Sequence, residues 1–161
     1  MKKLILLVLT LAMGAVLVGC GEKKDEGPAA GPPLSVFYEA VLAAQPETAE
    51  PLILFEEFDP GLIGNFYPGL DEIELSQQAF YMPPIVTHPC EIVLVEVKNK
   101  DDVQAVADIF QARIDMGADD TSYFESAAGW QRFAQVQASG NFVCMIVLPE
   151  GCVIPENVFA P

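Results

Sequence analysis

Apolar residues follow one another almost without a break at the start of the chain, where Leu4 to Val18 is interrupted only by Thr10 and small side chains. Further on the spacing becomes helical. Leu34, Phe37, Tyr38, Val41 and Leu42 fall on one stripe, which predicts a helix over Leu34 to Gln45 with Ser35 as N-cap and Pro46 as its stop. Between Glu47 and Leu70, Pro51, Pro60, Gly61, Gly64, Pro68 and Gly69 punctuate small apolar clusters. Only turns and one brief element around Leu52 to Phe58 are expected there.

Alternation takes over next. Ile73, Leu75, Ala79 and Tyr81 oppose Glu74, Ser76 and Gln78, the mark of an amphipathic strand ended by Pro83-Pro84. Glu91 to Val97 is nearly continuous in β-branched and apolar residues and reads as a central strand. Val103, Val106, Ala107, Phe110 and Ile114 then return to helical spacing. They predict a helix over Asp101 to Met116, with an Asp101-x-x-Gln104 capping pattern and Gly117 just past its end. A second start signal, Ser122-x-x-Glu125, opens a shorter helix carrying Trp130 and Phe133. Ala138-Ser139-Gly140 turns the chain into Asn141 to Leu148, a second buried strand, and Ala134 to Gln137 forms a hairpin with it if extended. The mixed order of elements predicts an α+β fold: a two-layer sandwich of a small mixed or antiparallel sheet with helices on one face.

The first apolar run is a targeting signal by its flanks. Met1-Lys2-Lys3 supplies a positive start, and fifteen residues span about 22 Å as a helix, short of the ~30 Å core of a bilayer. It closes on Leu17-Val18-Gly19-Cys20, which looks like the lipobox of bacterial lipoproteins: a branched apolar residue, a small one, then the cysteine that is lipidated and becomes the new N-terminus. The expected organisation is a signal peptide over residues 1–19, lipidated Cys20 with a flexible linker over 20–33, and one globular domain over 34–161. The linker is inferred from its Gly, Pro and charged composition without an apolar face.

Charge narrows the functional classes. All 23 acidic residues follow Cys20 but only six of the eight basic ones do, so the mature chain carries a formal charge of −17. Such a chain repels phosphate backbones and carries no basic patch, which excludes nucleic acid as a partner. Lys23 and Lys24 are the basic pair next to the expected anchor, where each could add about 1 kcal/mol of attraction to anionic headgroups.

Candidate chemistry is sparse. His88 is the sole histidine, and Cys90 lies two residues away at a strand start, where alternation turns it from a shared, oriented site. The pair also lacks the paired spacing of zinc ligands. Three acidic clusters stand out: Glu56, Glu57 and Asp59; Asp71, Glu72 and Glu74; and Asp119 and Asp120. None has the loop pattern of a calcium site, and a solvated acidic face is the expectation. Cys90, Cys144 and Cys152 remain after the anchor. A bridge from Cys144 to Cys152 across the Pro149-Glu150-Gly151 turn is one reading, and buried free thiols are the preferred one.

Several stretches resemble one family, the short lipoproteins of Gram-positive bacteria that share a C-terminal domain of unknown function. They are Phe66-Tyr67-Pro68-Gly69-Leu70, the strand Glu91 to Lys98, the helix Asp101 to Arg113, Ser122-Tyr123, and Gly140-Asn141-Phe142-Val143. The resemblance covers about Phe66 to Pro149 plus the lipobox, and Pro83 to Pro89 departs from it. It implies the fold, with no assigned activity, cofactor or catalytic residue. The combined expectation is a protein held on the extracytoplasmic face of the cytoplasmic membrane by lipid on Cys20. Its domain serves as a non-catalytic binding or accessory module of the cell envelope, without metal or cofactor. The alternative is a small enzyme or ligand receptor built on the acidic clusters.

Overall fold

The computed structural model describes residues 31–54, 61, 63–83, 89–122 and 124–160, apart from the side chains of 124 and 125. Cys20, the signal segment, the cluster Glu56, Glu57 and Asp59, and His88 lie outside the described residues, as does most of the expected element at Leu52 to Phe58. Helix α1 spans Leu34–Ala43 and a single turn, α2, spans Ile63–Phe66. Strands β1, Leu75–Tyr81, and β2, Glu91–Val97, come next. Helices α3, Val103–Ala118, and α4, Phe124–Phe133, are followed by β3, Ala134–Ser139, and β4, Phe142–Val147.

The strands form one sheet in the order β1-β2-β4-β3, every neighbouring pair antiparallel. This is the α+β fold the sequence predicts, with the sheet wholly antiparallel. The helices, however, are not confined to one face: α3 and α4 pack on one side, and α1 packs on the other because the opposite side chains of β2 and β4 are apolar as well. Side chains alternate across β2, and both of its faces are covered, which is why all seven residues are buried and why its sequence lacks polar interruptions. Val93, Val95 and Val97 join Phe80, Val143, Met145 and Val147 beneath α3 and α4, with Val106, Phe110, Ile114 and Trp130 closing that core. Ile92 and Leu94, with Cys144 and Ile146, face a second core that α1 and the C-terminal segment cover through Leu34, Phe37, Val41, Cys152, Ile154 and Val158. The irregular tail thus completes the burial of the sheet.

Strand β1 shows how a local irregularity redirects a pattern. Simple alternation puts Ile73, Leu75, Ala79 and Tyr81 on one face. A β-bulge between Leu75 and Gln77 shifts the register by one residue and flips that parity. Ile73 and Leu75 therefore pack on the helix-covered core with Phe80, whereas Ala79 and Tyr81 face α1, where the Tyr38 and Tyr81 rings stack 3.6 Å apart.

Element ends differ from the sequence signals for identifiable reasons. Ser35 is not the N-cap: α1 follows Pro33, whose lack of a donor suits a helix start, and no side chain caps it. Asp101 and Gln104 do not form a capping box. The side chain of Asn99 accepts from Asp101 N–H over a 3₁₀ turn, Lys100–Asp102, and Gln104 donates to Asp108 one turn along α3. Before α4, Asp120 accepts from the N–H of Ser122 at 2.8 Å. The predicted hairpin is present with register Ala134↔Val147 to Ser139↔Phe142, so Ala138 and Ser139 belong to β3 and the turn is Gly140-Asn141. Gly140, the first turn residue, takes φ 63°, a conformation glycine adopts without strain.

Gly117 does not end α3 but lies within it, buried, because the Trp130 ring of α4 occupies the space a side chain would need. A β-carbon there would fall 2.4 Å from the ring. Alanine favours a helix by about 1 kcal/mol over glycine, but displacing a packed indole costs about 1–3 kcal/mol. Gly117→Ala should therefore lower stability, by about 1 kcal/mol net, and a raised urea midpoint would contradict the close α3–α4 contact.

Gly31 and Pro32, expected as part of the linker, are bound to the sheet. The N–H of Gly31 donates to Glu96 Oε1 at 2.8 Å, and Gln77 donates to the other oxygen of Glu96 at 2.9 Å and to Pro32 O at 3.1 Å. Gln77 and Glu96 are cross-strand partners, and their side chains make a polar clasp where the chain joins the domain.

Candidate functional site

The densest polar constellation is built by a turn, a strand and a helix. Tyr67-Pro68-Gly69-Leu70 folds as a type II turn: Pro68 fixes φ at its first inner position, Gly69 takes φ 91° at the second, and Leu70 N–H donates to Tyr67 O at 3.0 Å. That turn buries Tyr67 completely and aims its hydroxyl at the first residue of β2. Glu91 shares the face of Val93, Val95 and Val97. From α3, Arg113 reaches the same carboxylate from the stripe that carries Val106, Phe110, Ile114 and Gly117.

The geometry satisfies every side-chain group involved. Tyr67 OH donates to Glu91 Oε2 at 3.0 Å, Arg113 Nε donates to that oxygen at 3.3 Å, and Arg113 Nη2 pairs with Oε1. Two-pronged contact of this kind fixes orientation as well as charge. The guanidinium lies 4.5 Å from the centre of the Trp130 ring and 5.4 Å from that of Phe66, so aromatic faces complete its surroundings. Glu91 is 3 % exposed and Arg113 9 %, so both charged groups are withdrawn from solvent.

Burial raises the Glu91 carboxyl, and the Arg113 charge with the hydrogen bonds from Arg113 and Tyr67 pulls it back only in part. Burial likewise pushes the Tyr67 hydroxyl above the ordinary phenol range, reinforced by the neighbouring Glu91 charge. The Cys90 and Cys144 thiols are each pushed up to about 12, burial being the main cause. These three groups stay neutral in the folded chain at pH values where the unfolded chain ionises them. The native state then holds more protons, and stability falls as pH rises from the ordinary thiol value near 9 upward. With a reductant keeping the thiols free, the melting midpoint should accordingly fall between pH 8 and pH 10.5, and less steeply in a Cys90→Ala, Cys144→Ala variant. A flat profile would contradict the burial of these groups.

The residues that the sequence singled out are dispersed. Asp71 and Glu72 are exposed on the 3₁₀ turn Leu70–Glu72, Glu74 pairs with Lys98 at 3.5 Å, and Asp119 and Asp120 stand exposed after α3. Among the described residues no three His, Cys, Asp or Glu side chains gather as a metal site. Glu91 and Arg113 had no place among the sequence candidates; their signal was a charge at an apolar-face position of each element. Shallow clefts flank α4: one of about 310 Å³ has Glu50, Arg132 and Glu150 on its walls, and one of about 260 Å³ has Asp119, Asp120 and Gln131.

The arrangement defines a class: a small α+β domain whose antiparallel sheet is covered on both faces and whose buried Tyr67, Glu91 and Arg113 are paired with one another. A family model described as Domain of unknown function (DUF4358) matches residues 56–148, more than half of the chain, and the protein belongs to that family. The matched span holds Tyr67, Glu91 and Arg113 together with all four strands. No curated protein and no solved structure matches the chain.

Proposed function

We propose that this protein is a lipoprotein held on the extracytoplasmic face of the cytoplasmic membrane by lipid on Cys20, its domain serving as a non-catalytic binding or accessory module of the cell envelope. The observation that carries the reading is the N-terminal order of Lys2-Lys3, the apolar run Leu4 to Val18 and Leu17-Val18-Gly19-Cys20. Two fatty chains suffice for stable attachment, since each buried methylene contributes about 0.8 kcal/mol. The clasp of Glu96 and Gln77 on Gly31 adds a consequence. Only ten residues separate Cys20 from Gly31, and the eleven steps between them reach at most about 40 Å, so the domain works close to the bilayer.

A binding role suits chemistry of this kind. The buried ion pair of Glu91 and Arg113 is committed to joining β2, α3 and the Tyr67 turn, and the exposed carboxylates among the described residues stand on separate segments. The clefts beside α4 are open to solvent and accessible to a partner lying across them. A photo-crosslinking side chain at exposed Gln131, used on intact cells, should capture a discrete envelope component. Substrate turnover that disappears when Asp71, Glu72 and Glu74 are neutralised in a folded variant would overturn the non-catalytic half of the reading.

A further inference from the structure

We propose that Cys90 and Cys152 form a disulfide under oxidising conditions, stapling the C-terminal segment to the start of the central strand β2. All three domain cysteines are free thiols in the structure, and all belong to the core that α1 and the C-terminal segment cover. Their positions along the strands separate one pair from the other two.

A disulfide requires α-carbons within about 7 Å. Cys144 sits opposite Leu94 in the β2–β4 register, and Cys90 precedes Leu94 by four residues, about 13 Å along the strand. Cys90 and Cys144 are too far apart. Pro149 lies five residues past Cys144, about 16 Å, and Cys152 folds back only as far as a turn in which its N–H donates to Pro149 O at 3.1 Å. A turn of this kind keeps its first and last α-carbons within about 7 Å, leaving Cys152 about 9 Å or more from Cys144. The bridge from Cys144 to Cys152 considered from sequence is therefore out of reach as well.

Cys90 and Cys152 remain. The register pairs Glu91 with Val147, so one further step sets Cys90 beside Leu148, next to the turn that returns Cys152 to the same face. After burial, the neighbouring Cys152 and then Glu91 raise the Cys90 thiol, which is consistent with the two cysteines sharing one end of this core. Glu50 acts similarly on Cys152.

The chemistry balances with a disulfide oxidant. Cys152, half-buried where Cys90 is buried, loses its proton to solvent first. Its thiolate attacks one sulfur of the oxidant and expels the other as a thiolate. Cys90, deprotonated in turn, attacks Sγ of Cys152 in the mixed disulfide and expels the second oxidant thiolate. The protein loses two hydrogens and the oxidant becomes two thiols. Raised thiol pKa values make the reaction faster as pH rises. The proposal rests on thiol geometry and is independent of the membrane-anchor reading.

The test uses the full chain carrying Cys20→Ala, in detergent, treated with oxidised glutathione at pH 8.5. Peptide mass mapping should find Cys90 linked to Cys152 and Cys144 alkylated as a free thiol after unfolding. The melting midpoint should rise on the order of 10 °C on oxidation, because the bond closes a long loop of the unfolded chain. Cys90→Ser should stop at glutathione on Cys152 with no rise in midpoint. A bridge that includes Cys144, or three alkylatable thiols after exhaustive oxidation, would overturn the assignment.

Discussion

Arg113→Leu should lower the stability of the domain by about 3–5 kcal/mol, because it leaves the Glu91 carboxylate buried without its counter-charge. The loss combines three contacts: the paired hydrogen bonds to Glu91, the stacking on Trp130 and the approach to Phe66. Apolar replacement of the whole unit behaves differently. Exchanging both charges, as in Arg113→Leu with Glu91→Leu, removes the desolvation cost of two ions and should recover most of the loss. Tyr67 then keeps a buried hydroxyl without its acceptor, a residual cost of about 1–3 kcal/mol that Tyr67→Phe should relieve. Urea midpoints of the single, double and triple variants check this order. A single Arg113→Leu variant as stable as the parent would show that Glu91 finds water, and the buried unit would be misassigned.

Phe110→Ala should cost a similar amount, about 3–5 kcal/mol, by a different mechanism. The ring is fully buried midway along α3, with its centre 5.9 Å from that of Tyr67, and the neighbouring helix and sheet side chains can collapse only partly into the space it leaves. In a domain stabilised by about 5–15 kcal/mol this is a large share. It should lower the melting midpoint by roughly 10–20 °C. A shift under a few degrees would mean that α3 does not pack on the sheet as described.

These two residues also mark how far the sequence could be read. Phe110 was legible because helical spacing and apolar character agree at its position, and β2 and β4 were legible because strands covered on both faces lose their polar interruptions. Arg113 sits on the same stripe as Phe110, and Glu91 shares a face with Val93, yet a charged residue on an apolar face announces burial only once its partner is known. That partner lies 22 residues away, on another element. The parity of β1 departs from simple alternation for a comparable reason: a bulge is a property of pairing, and nothing in Leu75-Ser76-Gln77 declares it. Gly117 carries the same lesson in packing terms. Glycine after an apolar stripe signals a helix end, whereas here it makes room for an indole from the next helix. Gly31 looked like linker because its partner, Glu96, is 65 residues distant.

Those long-range pairings position the domain, whereas the proposed place at the membrane surface rests on one residue at the other end of the chain, Cys20. The direct measurement is to express the chain and its Cys20→Ala variant in a bacterium fed an alkyne-tagged fatty acid, then follow label, size and membrane fractionation. The parent should carry label, lose its first 19 residues and partition with the membrane, and Cys20→Ala should remain an unlabelled precursor. Equal labelling and processing of the two proteins would contradict a lipid anchor at Cys20, and with it the proposal that this domain works at the membrane surface.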